Sequence, residues 1–168
     1  DLVEIPSGGG GWIDVNHGES PDGKMLAFTA NGTMFRMPVG GASAPSRIGT
    51  GYFHAWSPDG RRIAFAADRG RGVAVFAIDA GGGRESRLTS AAALDDAPQY
   101  APDGKTIYFI SDRDGSRDIW RMPADGAGIG DAKAARVTRD AVVEAAPHQS
   151  PDGRRLYYIA HTAGTPTN

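Results

Sequence analysis

Three of the four histidines stand at nearly the same place relative to a recurring tripeptide. Pro-Asp-Gly occurs at 21–23, 58–60, 102–104 and 151–153. His17 and His54 each lie four residues before its proline, and His148 lies three before Pro151. Carboxylates gather just upstream: Asp14, Asp95 and Glu144 stand seven residues before a proline, and Asp96 stands six before. Imidazole and carboxylate are donors that a divalent cation accepts, and the same groups would hold a charged organic ligand. The plainer reading is that they pair with one another or with water, and cap strand ends. Which reading applies depends on what the repeat builds and where it delivers them.

The four tripeptides are 37, 44 and 49 residues apart. Ser20, Ser57 and Ser150 precede three of them and Ala101 the fourth, while Lys24, Arg61, Lys105 and Arg154 follow. Pro presets φ for the first turn position, Asp bonds backbone two residues on, and Gly accepts positive φ. Each turn is followed by an apolar run: Met25–Phe28, Ile63–Ala66, Ile107–Ile110 and Leu156–Ile159. These are short, with β-branched and aromatic residues, as buried strands are. A third strand is predicted over Thr33–Val39, Val73–Asp79 and Asp118–Ala124. A fourth element repeats as Ser46–Thr50, Ser86–Ser90 and Ala135–Arg139, built on Arg, a branched apolar residue and usually Thr. Four short strands in roughly 40 residues is the content of a propeller blade.

The turn with its preceding aromatic (Trp56 or Tyr100) and the run Tyr108–Trp120, read as Tyr-Phe-Ile-Ser-Asp-Arg-Asp-Gly-Ser-Arg-Asp-Ile-Trp, resemble the TolB-type β-propeller repeat. Related blades form the propellers of prolyl-oligopeptidase-like and dipeptidyl-peptidase-like enzymes. The resemblance extends from about Gly11 to His161 and speaks for architecture more than for activity. It implies an all-β fold of antiparallel four-stranded blades, one domain over 1–168, with repeats near 11–50, 51–90, 91–139 and 140–168 plus 1–6. Such propellers usually have six or seven blades, whereas this chain has material for about four. Residues 1–6 resemble a third strand and 142–161 a first and second, so the two ends together would make most of a blade. The chain is then a small ring closed by its own N-terminus or, the favoured option, an arc whose exposed blades need a partner or self-association.

In a propeller the first strand of each blade lines the central channel. His17, His54, Asp95, Asp96, Glu144 and His148 would then converge at one channel mouth as a ligand-binding set, with a metal at His17, His54 and His148 as the sharper alternative. Metal-dependent sugar-acid lyases on similar propellers resemble that arrangement. Trp56, Tyr100 and Trp120 read as inter-blade packing, whereas Trp12 and Tyr52 are placed to stack on a ligand. Gly126–Lys133 lengthens the third blade and is a candidate contact loop.

Composition narrows the classes. Gly (24) and Pro (11) make up about a fifth of the 168 residues, against a usual share of roughly 12%. Forty per cent apolar residues with a net charge of −2 can support a core, which disfavours disorder. With 18 basic residues against 20 acidic ones, no positive field is available for nucleic acid. The apolar runs are too short to span a bilayer. There is no cysteine, hence no disulfide or thiolate metal site, and its absence fits an oxidising compartment. The run Asp112–Asp118 lacks the ligand spacing of a calcium loop and reads as a hairpin turn. The glycine clusters lack the Gly-Lys-Ser/Thr of a phosphate loop, and no Gly-x-Ser-x-Gly elbow is present.

The sequence therefore predicts a non-catalytic propeller scaffold without a required cofactor, a divalent metal being the exception it leaves open. It would bind a protein, peptide or small ligand at the channel mouth. The setting would be soluble, in the periplasm or cell envelope, with no leader visible ahead of Asp1. The alternative is an enzyme domain: a peptidase-gating propeller, or a metal-dependent lyase using the channel histidines.

Overall fold

A computed structural model describes residues 13–14, 18–41, 43–90, 93–125, 133–139, 142–143 and 147–161. Among them there is no α-helix, and the strands assemble into consecutive antiparallel blades. The first blade comprises β1 (Ile13–Asp14), β2 (Met25–Ala30), β3 (Thr33–Pro38) and β4 (Ser46–Thr50) in spatial order. The second comprises β5 (Tyr52–Trp56), β6 (Arg62–Asp68), β7 (Val73–Asp79) and β8 (Ser86–Arg87). The third comprises β9 (Asp95–Tyr100), β10 (Thr106–Ser111), β11 (Asp118–Pro123) and β12 (Ala135–Arg136). Two further pairs follow: β13 (Val142–Val143) with β16 (Ala160–His161), and β14 (His148–Gln149) with β15 (Leu156–Tyr157). They hold the first and second strands of a fourth unit. Residues 1–6, Trp12 and most of the 126–133 loop lie outside the described residues, as do the closure and contact roles expected of them.

The Pro-Asp-Gly turns behave as their chemistry dictates. Asp22, Asp59, Asp103 and Asp152 each accept, through Oδ1, the backbone N–H two residues on, at 2.9–3.1 Å. Gly23, Gly60, Gly104 and Gly153 sit at φ between 68° and 70°, a region open to glycine at little steric cost. Where serine leads the turn, its hydroxyl donates to the aspartate and accepts the N–H that opens the next strand, as in Ser57 with Asp59 (2.6 Å) and Arg62 (2.9 Å).

The blades pack through a period-two sorting of side chains. On β6 and β7, Ile63, Phe65, Ala67, Ala74, Phe76 and Ile78 face the first blade and meet Ala27, Met34, Ile48 and Trp56. The intervening Ala64, Val75 and Ala77 face the third blade and meet Leu88, Ile107, Phe109, Trp120 and Met122. The second blade is thus apolar on both faces, which explains its nearly unbroken buried strands. Trp56 and Trp120 are inter-blade packing, as expected, and Tyr100 is partly buried against the second of these cores.

The first strands carry a repeated irregularity. Tyr52 pairs with Ala66 and Ala55 with Ala64, so Phe53 and His54 together oppose Phe65. In the third blade Asp96 pairs with Ile110 and Gln99 with Tyr108, leaving Ala97 and Pro98 opposite Phe109. The first residue of each bulge is left-handed, with φ 50° at Phe53 and 48° at Ala97. Both stand five residues before the turn proline. A non-glycine residue held this way costs on the order of 1–3 kcal/mol, and such bulges re-aim the side chains that follow.

Candidate channel-mouth site

The first strand of the third blade starts with Asp95 and Asp96, and the hairpin between its second and third strands comes back to the same end. Ladder register sets Ser111 beside Asp95 and Ile110 beside Asp96, so the Asp112–Asp118 turn overhangs both carboxylates. That turn is closed by Gly115 N–H donating to Asp112 O at 2.8 Å, and it is a hairpin turn as the sequence implied.

Two arginines from this turn neutralise the pair. Arg113 Nη2 donates to Asp95 Oδ1 at 2.9 Å. Its guanidinium lies 4.7 Å from the Trp120 ring centroid and 5.2 Å from that of Phe109, a desolvated cation–π setting. Arg117 Nη2 bridges Asp96 Oδ1 and Oδ2 at 3.0 and 3.1 Å. Asp95 is 0% exposed, and its Oδ2 has no hydrogen-bond partner among the described residues. Burial pushes the Asp96 carboxyl above its ordinary range; Arg117 opposes this, while the charges of Asp95 and Asp112 reinforce it. Tyr52 joins the cluster electrostatically. Burial first, then the charges of Asp96 and Asp68, raise its phenol above the usual value.

His54 goes elsewhere. It is 2% exposed, with Nε2 3.1 Å from Ala27 O and Nδ1 3.3 Å from the Thr29 hydroxyl, both in the first blade. In the Nε2–H tautomer the ring donates to the carbonyl and accepts from threonine, a cross-blade link. The bulge that begins at Phe53 turns His54 into this seam and leaves Phe53 43% exposed, edge-to-face with Tyr52 at 5.3 Å between centroids. His148 is exposed on β14. His17 and Glu144, like the side chain of Asp14, lie outside the described residues. Among the described residues no group of three His, Asp or Glu side chains is close enough to share a metal ion.

The arrangement therefore sets Tyr52 within electrostatic reach of Asp96, with Phe53 edge-on to Tyr52, while His54 bonds Ala27 and Thr29 of the first blade. The sequence reading missed Arg113 and Arg117, which lie 18 and 21 residues from their partners. The usable signal was the Asp-Arg-Asp-Gly-Ser-Arg-Asp run itself. A turn that charged, returning to the end where β9 begins, supplies cations to whatever acids start that strand.

The sequence profile of the TolB beta propeller domain matches residues 44–167. The chain belongs to that family. An uncharacterised protein of Agrobacterium fabrum is 34% identical over 123 residues, which is 68% of this chain and 41% of that one. The Tol-Pal system protein TolB of Bordetella pertussis is 38% identical over 53 residues, 31% of this chain and 12% of its own length. The crystal structure of TolB from Acinetobacter baumannii superposes with a TM-score of 0.75 at 23% identity, covering 88% of this chain and 37% of that one. This TolB-like chain thus spans about two-fifths of the length of the A. fabrum relative and of the A. baumannii structure. No helix among the described residues is long and apolar enough to cross a membrane.

Proposed function

We propose that this TolB-like propeller is a non-catalytic scaffold that binds a protein or peptide partner at the channel mouth, in a periplasmic setting. The observation that carries the reading is Phe53, a large aromatic held left-handed at φ 50° in a first strand and left 43% exposed. The same left-handed bulge recurs at Ala97, which is buried, so it is the exposure of the Phe53 ring that sets this strand apart. Tyr52 supports the Phe53 ring from the side, and Arg117 places a half-exposed cation at the end of the neighbouring first strand. An exposed aromatic ring is the composition of an interface anchor. The name of the B. pertussis relative, Tol-Pal system protein, supports a protein partner and an envelope location.

Asp95 and Asp96 already have their counter-charge from Arg113 and Arg117, and His54 uses both ring nitrogens between blades. These pairings favour a scaffold over metal-assisted catalysis, because a cation at these groups would first have to break them.

A photo-crosslinking residue at position 53, compared with one at exposed Val39, tests the reading in envelope extracts. We expect a partner captured from 53 and not from 39, and reduced capture when Arg117→Ala is added. Equal capture from both positions would sink it. So would stoichiometric manganese or zinc binding that disappears in His54→Ala.

A further inference from the structure

A recess remote from the Asp95–Asp96 cluster opens at the end of the blades that carries the Pro-Asp-Gly turns. It lies between the second and third blades, with a volume of about 600 Å³, and is lined by Ser57, Pro58, Asp59 and Arg62 on one side and by Tyr100, Asp103, Gly104, Lys105, Ala124 and Asp125 on the other. That volume falls within the usual range of ligand pockets.

The neighbouring seam shows what is unusual here. Between the first and second blades, Trp56 stands two residues before its turn proline and donates its indole N–H to Gly18 O at 2.9 Å. The residue four after the preceding turn proline is the apolar Met25, packed against the same core. Between the second and third blades the corresponding positions are Tyr100 and Arg62. The Tyr100 hydroxyl is buried and has no hydrogen-bond partner among the described residues. Arg62 and Asp59 both act electrostatically on it, so the phenol, the guanidinium and the recess are neighbours. The turns themselves stack alike at both seams. A Cβ on Gly60 would lie 3.8 Å from Pro21 Cδ, and one on Gly104 3.7 Å from Pro58 Cδ. One seam is thus closed by a hydrogen bond and an apolar side chain. The other, on the same scaffold, holds an orphan hydroxyl within electrostatic reach of Arg62 and Asp59, with Lys105 on the lining of the same recess.

An orphan buried hydroxyl costs roughly 1–3 kcal/mol and calls for a partner. Tyr100, Arg62 and Lys105 are all donors, and the group that satisfies three such donors together is a carboxylate. Asp59 and Asp103 already spend one oxygen on their own turns. The remaining acidic oxygens repel a polyanion but accept N–H groups. A ligand that offers one carboxylate flanked by N–H donors is an acidic residue within a peptide.

We propose that this inter-blade recess binds an acidic side chain of a partner polypeptide, its carboxylate held by Arg62, Lys105 and the Tyr100 hydroxyl. The site is independent of the channel-mouth reading, because it uses other residues.

The test uses the full chain and the blocked tripeptides Ac-Ala-Glu-Ala-NH2 and Ac-Ala-Gln-Ala-NH2, titrated by NMR. Saturable shifts are expected at Arg62, Tyr100, Gly104 and Lys105 with the glutamate peptide, and binding weaker by roughly tenfold with the glutamine peptide. The Arg62→Gln, Lys105→Gln double variant, which removes charge from half-buried Arg62 and exposed Lys105 while keeping most of each aliphatic stem, should lose binding with an unchanged melting temperature. Tyr100→Phe should weaken it several-fold. Equal binding of both peptides, shifts centred on Phe53 and Asp96 instead, or no saturation at millimolar peptide would overturn the proposal. So would a neutral disaccharide that binds where the peptides do not.

Discussion

The indole N–H of Trp56 donates to the carbonyl of Gly18 at 2.9 Å, across 38 residues and from one blade to the next. The bond is buried and ties the strand before the second turn to the segment that leads into the first. Trp56→Phe keeps most of the apolar area but leaves the Gly18 carbonyl without this donor. A loss of about 1–2 kcal/mol is expected, within the range for a buried hydrogen bond. Chemical denaturation with an unchanged slope would register it. A loss below about 0.3 kcal/mol would show that the packing, not the bond, holds the seam.

Serine before the turn sets the acidity of the aspartate inside it. The Ser57 hydroxyl, then the Arg61 backbone N–H, hold the Asp59 carboxyl below its ordinary value, and Ser20 and Ser150 do the same for Asp22 and Asp152. A depressed carboxyl contributes stability above its unfolded value, which is lost as pH falls through the folded one. These groups are solvent-exposed, so the effect is read from titration rather than from stability. In Ser57→Ala, the carboxyl NMR titration of Asp59 should move up while Asp22 and Asp152 stay. An unmoved Asp59 would refute the assignment.

Asp96 works in the opposite sense. Burial raises its carboxyl above the ordinary 3.8, so the folded chain keeps a proton that the unfolded chain has released. Its contribution to stability therefore falls as pH rises through the folded value, and the cost is fully present above it. Asp96→Asn removes that cost, and half-exposed Arg117 can turn to solvent. The variant should gain on the wild type as pH is raised from about 3.8, and the gap should level off above the folded value. Parallel melts across that range, with an Asp96 carboxyl titration, measure it. A midpoint at or below 3.8 would contradict the burial argument.

The turns and strands were readable because each is a local code: Pro-Asp-Gly sets φ and bonds its own backbone, and a short apolar run follows. Val73–Asp79 was placed to the residue. The site was less readable because its partners are distant and its geometry hangs on one bulge. Nothing local to Phe53-His54 says that two residues will oppose one, and that offset sends His54 to Thr29 and Ala27 rather than to the acids. Arg113 and Arg117 needed the register of β9 on β10 before their partners could be named.

Gly51 occupies the place in the second blade that Asp95 holds in the third, seven residues before the turn proline. A Cβ there would run into the Phe65 ring and come within 2.7 Å of Ala66 O. Backbone cannot yield as a flexible side chain does, so Gly51→Ala should cost about 1–3 kcal/mol through overpacking. Gly81→Ala, with open space around it, is the control and should change little. Equal effects of the two substitutions would mean that the β4–β5 junction is looser than its contacts indicate.

Asp118 organises the outer half of the third blade. Its Oδ2 accepts from Arg136 Nη2 at 2.6 Å and from the Ser116 hydroxyl at 2.5 Å, and its Oδ1 accepts from Thr138 at 3.1 Å. The second blade repeats the frame without the acid. Thr89 accepts Val75 N–H as Thr138 accepts Ile119 N–H, and Arg87 reaches Thr89 O as Arg136 reaches Thr138 O. Ala74 stands where Asp118 does, and Arg87 lies over Phe76 instead, 5.6 Å from its centroid. The arginine is therefore compatible with a blade that lacks the carboxylate, provided an aromatic ring lies beneath it. Phe76 carries Arg69 as well, at 5.2 Å, as Trp120 carries Arg113 at 4.7 Å, and without Asp118 the acid left beside Arg136 is the more exposed Asp114, at 3.5 Å. Asp118→Ala should cost about 3 kcal/mol, near the lower end for breaking a buried charge pair, because Asp114 remains. Adding Arg136→Ala should restore part of that, a coupling of roughly 1–2 kcal/mol in a double-mutant cycle. Denaturation of the four variants measures both quantities. Strict additivity would show that the two side chains act separately and that the fourth strand is held by its backbone ladder alone.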